Sequence, residues 1–167
     1  VLALLSDSSN AEASFPNASE QDIGKFVTNV FRNAKGRIIV AAKASNLNRV
    51  QEVLNAAAAT GKRVLLTGRD LAKIVRTSMK LGYLDVPEGL LMRVKDLKTV
   101  PDEQTVILET GRMGEPLNSL QKMAKKRHSM ITIHKGDLVF IATTPSHAVE
   151  TMVAETSDLV YKAGGTV

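Results

Sequence analysis

Apolar residues along the chain fall into short β-branched runs and longer stretches of helical period, and the two kinds alternate. Four segments share one grammar of apolar strand, small polar loop and amphipathic helix. They are RIIVAAKASN into LNRVQEVLNAAAATG, KRVLLTGRD into LAKIVRTSMKLG, TVILETGRMGE into PLNSLQKMAKK, and LVFIATTPSH into AVETMVAETSDLVYKAGG. Strands separated by helices of this length predict βα units. The expected fold class is therefore α/β, a mainly parallel β-sheet flanked by helices in a Rossmann-like arrangement.

Other segments frame these units. VLALLSD reads as an apolar opening strand, followed by the polar loop DSSNAEASFPNAS. Ile23, Phe26, Val27, Val30 and Phe31 then recur at helical spacing, with Ser19 and Asp22 as a start signal and Gly36 as a stop. A short edge strand is expected over Leu90 to Val94. SMITIHKGDLVFI reads as two strands joined at Lys135, Gly136 and Asp137.

In an open α/β sheet, ligands sit at the carboxyl ends of the strands. Those ends carry Lys43 and Ser45, Thr67 and Arg69, Thr110 and Arg112, and Thr143, Thr144, Ser146 and His147. Cations and hydroxyls beside helix N-termini suit an anion. The same residue types also serve as helix caps. TVILETGRMGEPLNSL has both readings: its Gly-x-x-Gly turn is either a phosphate cradle or a tight strand–helix connection.

Composition narrows the partner. The 167 residues carry a net charge of +5 and a pI of about 9.6, which is compatible with a polyanion. Four Phe, two Tyr and no Trp leave little for stacking bases, so nucleic-acid contact is expected mainly at the backbone. No cysteine is present, which removes disulfides and thiolate chemistry and fits an intracellular protein. No apolar run is long enough to span a membrane, and no signal-peptide pattern occurs. The length suits one domain with a real core, and the abrupt apolar ends suggest a domain cut from a longer chain.

Much chemistry is missing. His128, His134 and His147 are isolated in sequence and form no metal-ligand motif. There is no Walker phosphate loop, dinucleotide fingerprint or nucleophile elbow. Residue patterns alone thus describe a basic α/β module with an anion-friendly edge and no complete active site.

Several stretches resemble ribonuclease J, of the β-CASP branch of the metallo-β-lactamase superfamily. LLSDSSNAE is similar to the family's Asp-Ser-Thr-Asn-Ala-Glu, with Ser9 in place of Thr. KASNLNRVQ resembles Phe-Ala-Ser-Asn-Val-His-Arg-Ile-Gln, and GRMGEP resembles Gly-Ser-Gln-Gly-Glu-Pro. GRIIVA, LGYL, KGDLVFIATTP and the closing AGG extend the likeness end to end.

The resemblance implies a single β-CASP domain over residues 1–167, set in a metallo-β-lactamase domain that this chain lacks. It implies metal-dependent RNA phosphodiester hydrolysis by the full-length protein, as endonuclease and 5′-to-3′ exonuclease in cytoplasmic RNA processing and decay. Zinc or another divalent metal belongs to the lactamase domain, so no metal and no activity are expected of this domain alone. Asp7 matches a carboxylate that supports a histidine of the other domain. Ser45, Asn46, Asn48 and Arg49, with Gly111, Arg112, Met113, Gly114 and Glu115, match stretches that bind the RNA backbone and its 5′ phosphate.

Departures from the family pattern also carry information. Lys43 replaces Phe, Asn48 replaces His, Arg112 and Met113 replace Ser-Gln, and TPSHAVE replaces a Pro-Ile-Pro-Gly-Asn-Glu segment. They resemble the divergent second paralogue of Gram-positive bacteria. That implies weak or lost activity and two kinds of partner: RNA, and an active paralogue in a homo- or hetero-oligomer. The alternatives are a non-catalytic subunit that assembles with an active ribonuclease J and guides RNA, or a stand-alone nucleotide-binding module.

Overall fold

Five apolar runs pair side by side in one parallel sheet, with helices on both faces. The computed structural model describes residues 2–4, 20–68, 70–110, 116–142 and 150–167. Its elements in chain order are α1 (Glu20–Asn33), β1 (Ile38–Ala42), α2 (Leu47–Ala59), β2 (Arg63–Thr67), α3 (Leu71–Lys80) and β3 (Leu91–Met92). Two 3-10 turns, Val94–Lys98 and Asp102–Gln104, lead into β4 (Thr105–Glu109), α4 (Pro116–Ala124), β5 (Leu138–Ala142) and α5 (Glu150–Lys162). The strand order is β3-β2-β4-β1-β5, and every pairing is parallel. The α/β expectation holds.

The two central strands, IIVAA and TVILE, are buried at every position. Helices on both faces explain why these runs are continuous rather than alternating. On one face Ile38, Val40, Val106 and Leu108 pack under Val27 and Phe31 of α1, Val50, Val53 and Leu54 of α2, and Leu71 and Val75 of α3. On the other, Ile39, Ala41 and Ile107 meet Leu117, Leu120 and Met123 of α4 and Val160 of α5.

Three local expectations change. Residues 2–4 form no strand, and Leu2 and Leu4 are exposed; the rest of the expected opening strand lies outside the described residues. The β5 edge is taken by Thr166, which bridges Leu138 in parallel and places its carbonyl 2.7 Å from the Val139 N–H. The predicted hairpin before β5 is absent. Ile131 and Ile133 are buried, but their N–H groups go to the His128 ring and the Met123 carbonyl instead of a ladder. The edge strand predicted from Leu90 to Val94 shrinks to Leu91–Met92, because Val94 starts a 3-10 turn.

At the amino edge, β1 and β5 are tied by a buried ion pair. Arg37 Nε donates to Asp137 Oδ1 at 2.9 Å and Nη2 to Oδ2 at 2.6 Å. The same Nη2 donates to the Thr132 carbonyl, and the His134 N–H donates to Asp137. Gly36 permits this approach: a Cβ there would lie 2.2 Å from the Gly136 carbonyl oxygen. Gly136 itself turns with φ +93°, a conformation that favours glycine.

Candidate functional site

The sheet order creates a crevice. Strands β1 and β4 are neighbours, yet α2 leaves β1 on one face and α4 leaves β4 on the other. Adjacent strands whose connections diverge in this way open a crevice outside their carboxyl ends, where α/β sheets bind ligands.

On the β1 side, the loop after Ala42 carries Lys43, Ser45 and Asn46 into α2. Asn46 is the helix cap: its Oδ1 accepts from the Arg49 N–H at 3.0 Å, and its carbonyl accepts from Val50. The capping alternative considered for Ser45 therefore falls to Asn46, and Ser45 stays exposed. Lys43 and Asn48 are also exposed, and Arg49 is half-buried. Lys43, Ser45, Asn46 and Arg49 line one cleft of about 450 Å³ between α1, α2 and the carboxyl ends of β1 and β5. Ser45, Asn46 and Asn48 also line an open hollow at the start of α2. The first N–H groups of a helix have no partner within it, so cations, amides and a hydroxyl converge on a positive helix end.

Other strand ends contribute differently. Thr67 is buried and donates to the Leu108 carbonyl at 3.2 Å, so it ties β2 to β4 rather than facing a ligand. Thr110 is buried as well. Asp7, Arg69, Gly111, Arg112, Met113, Gly114, Glu115, Thr143, Thr144, Ser146 and His147 lie outside the described residues.

Two features escape a reading of the sequence by motif. Glu109 ends the apolar run of β4 with its side chain only 1% exposed, and His128 Nε2 lies 3.9 Å from its Oε2. The His128 Nδ1 faces the N–H groups of Met130 and Ile131 at 3.3 and 3.1 Å. These contacts hold Nδ1 against the backbone and turn the Nε2 side of the ring toward the carboxylate. The only advance signal was a charged residue closing a buried strand. The second feature is aromatic: Phe26, Phe31 and Phe140 all line the cleft beside Lys43 and Arg49. Low aromatic content concealed this concentration.

A further buried cation lies at the opposite edge of the sheet. Burial pushes the Lys62 ammonium below the ordinary lysine value, with the Glu103 carboxylate opposing it. Lys62 precedes β2 at the amino edge, away from the crevice. Among the described residues, no three His, Asp or Glu side chains gather as a metal-binding group, so these residues do not fit a resident metal. No helix among them is long and apolar enough to cross a membrane.

Fold and site together define a class: a doubly wound parallel α/β domain with Lys43 and Arg49 lining a cleft at the carboxyl ends of β1 and β5. The family model for Ribonuclease J, beta-CASP domain, matches residues 35–159. Ribonuclease J 2 of Streptococcus pyogenes serotype M3 is 54% identical over 168 residues, and Ribonuclease J2 of Bacillus subtilis strain 168 is 39% identical over 167. Ribonuclease J 2 of Staphylococcus aureus strain NCTC 8325 is 35% identical over 167 residues. Each match covers the whole of this chain and 30% of the relative, so the chain spans under a third of those proteins. The chain belongs to the ribonuclease J β-CASP domain family.

Proposed function

We propose that this domain binds single-stranded RNA at the carboxyl end of β1, along the start of α2, and orients its 5′ end within a ribonuclease J-type protein. The observation that carries the reading is the convergence of Lys43, Ser45, Asn46, Asn48 and Arg49 at one strand end. Lys43 and Arg49 attract phosphates, Ser45 and Asn48 offer hydrogen bonds, and the start of α2 favours negative charge. By the family resemblance, the GRMGEP stretch takes part in holding the RNA backbone and its 5′ phosphate. Gly111, Gly114, Glu115 and Pro116 keep the family's pattern. Arg112 and Met113 change its contents, Arg112 adding a cation for the 5′ phosphate. Asp7 steadies a histidine of an adjoining metallo-β-lactamase domain.

On this reading the full-length protein hydrolyses RNA phosphodiester bonds in the cytoplasm, from within and from the 5′ end, and its activity is weak. The metal-binding residues would lie outside this domain, and a zinc or similar divalent ion bound there would supply Lewis-acid polarisation of the phosphoryl group and an activated water. The domain described here supplies RNA binding and orientation. A second reading, a non-catalytic subunit that assembles with an active paralogue and guides RNA, is favoured by Lys43 and Asn48, which remove the family's Phe and His from the crevice.

A cleavage assay separates the two. Full-length protein, with and without its active paralogue, is given RNA bearing a 5′ monophosphate or a 5′ hydroxyl. Slow metal-dependent cleavage by the protein alone supports the enzyme. Cleavage only in the mixture, with altered 5′-end preference, supports the partner. An Arg112→Ala variant with unchanged 5′-end preference removes the role given to the 111–115 loop.

A further inference from the structure

The cleft between α1 and α2 is unusual for where it puts aromatic rings. The chain has four phenylalanines, and three of them, Phe26, Phe31 and Phe140, line this single cleft. Phe31 is fully buried and, with Val40 and Ala142, forms a floor. Phe26 is 60% exposed, and its ring centroid lies 6.2 Å from that of Phe140 at a 58° tilt. A core pair would be closed over. This one stays open, with Phe26 exposed along the cleft.

The charges along the cleft are ordered. Lys43 and Arg49 stand at the strand-end side. Glu52, also lining the cleft, follows Arg49 by three positions on α2, or about 4.5 Å further along the helix. Gly24 of α1 makes room for it: a Cβ at Gly24 would sit 2.3 Å from Glu52 Oε2. A phosphate is attracted to the cationic end and repelled from the carboxylate end. A flat group with an apolar face and N–H donors on its edge satisfies the inner end. The volume of about 450 Å³ lies in the range of small-ligand clefts.

We propose that this cleft is a nucleobase slot. It takes one unpaired base of an RNA strand whose phosphates run past Lys43 and Arg49. The base lies against Phe26 and Phe140, because every base has a π-face to stack. Glu52 accepts from the edge of the base, as carboxylates do from amino groups, so guanine, which offers N1–H beside its amino group, is preferred over uracil, which offers N3–H alone. The slot rests on the RNA-binding reading above and adds to it a contact that carries no charge.

The test uses full-length protein and ten-nucleotide single-stranded RNAs, with binding followed by fluorescence anisotropy across a salt series. Phe26→Ala is expected to weaken binding on the order of 10-fold without changing the salt slope, since no phosphate contact is lost. Replacing nucleotides one at a time by abasic residues should reveal one position that weakens the parent protein and leaves Phe26→Ala unaffected. Glu52→Gln, which preserves shape, should flatten the preference for guanine over uracil at that position. Salt-sensitive binding that Phe26→Ala leaves intact overturns the slot while the RNA-binding reading stands. Equal abasic profiles in the parent and Phe26→Ala overturn it as well. No RNA binding by the parent protein overturns both.

Discussion

Removing the Asp137 carboxylate should be among the most damaging single changes to the fold. Its side chain is fully buried, and that of Arg37 is 11% exposed. Asp137→Ala strips the guanidinium of two charge-assisted bonds, leaving it only the Thr132 carbonyl. The His134 N–H loses its acceptor too. Breaking a buried pair from one side costs about 3–5 kcal/mol, because the remaining charge is uncompensated. For a chain of this size that lowers Tm by roughly 6–20 °C. The double change Arg37→Met/Asp137→Leu leaves no buried charge, so it should lose only about 1–2 kcal/mol, from the unmet backbone groups. Urea unfolding followed by far-ultraviolet circular dichroism gives both values from the shift in midpoint at constant slope. The reasoning fails if Asp137→Ala lies within about 1 kcal/mol of the parent, or if the double variant is as unstable as the single.

Three further expectations follow from the same structure. Gly36→Ala should cost about 1–3 kcal/mol in urea unfolding, because its Cβ would meet backbone, the Gly136 carbonyl, at 2.2 Å; a change below a few tenths counts against that close approach. Asn46→Ala should lose about 1 kcal/mol of stability with the α2 cap, whereas Asn46→Asp should keep the cap and weaken RNA binding by adding negative charge to the crevice; equal RNA affinity for Asn46→Asp and the parent would contradict this. Lys62 has its folded pKa below the ordinary 10.5 because burial disfavours the charged form. The unfolded chain therefore binds more protons in the window just below 10.5, and stability relative to Lys62→Met should rise with pH there. A parent-minus-variant difference that is flat or falling across that window shows that burial does not govern this lysine.

The sheet was legible because its strands obey a strong rule. RIIVA, KRVLL, TVILE and LVFIA are continuous apolar runs, each followed by a helical period, and the structure uses all four as neighbouring parallel strands. SMITIH misled because Ile131 and Ile133 alternate as a strand does, yet that pattern is equally satisfied by two side chains packed under α4. Periodicity registers burial, not the destination of the N–H groups. In the crevice, Lys43, Ser45, Asn46, Asn48 and Arg49 were readable as neighbours on one strand–loop–helix unit. The Glu109–His128 contact and the Phe26–Phe140 pair were not, since each joins elements far apart in sequence. Composition counts rings without saying where they meet.

The most direct measurement is the salt dependence of binding between full-length protein and 5′-monophosphorylated single-stranded RNA, with and without Lys43→Ala/Arg49→Ala. If RNA phosphates lie along the crevice, the double variant binds more weakly and its plot of log affinity against log salt is shallower by about 0.7 for each lost contact. Identical affinity and slope in the two proteins would place the RNA elsewhere and contradict the account.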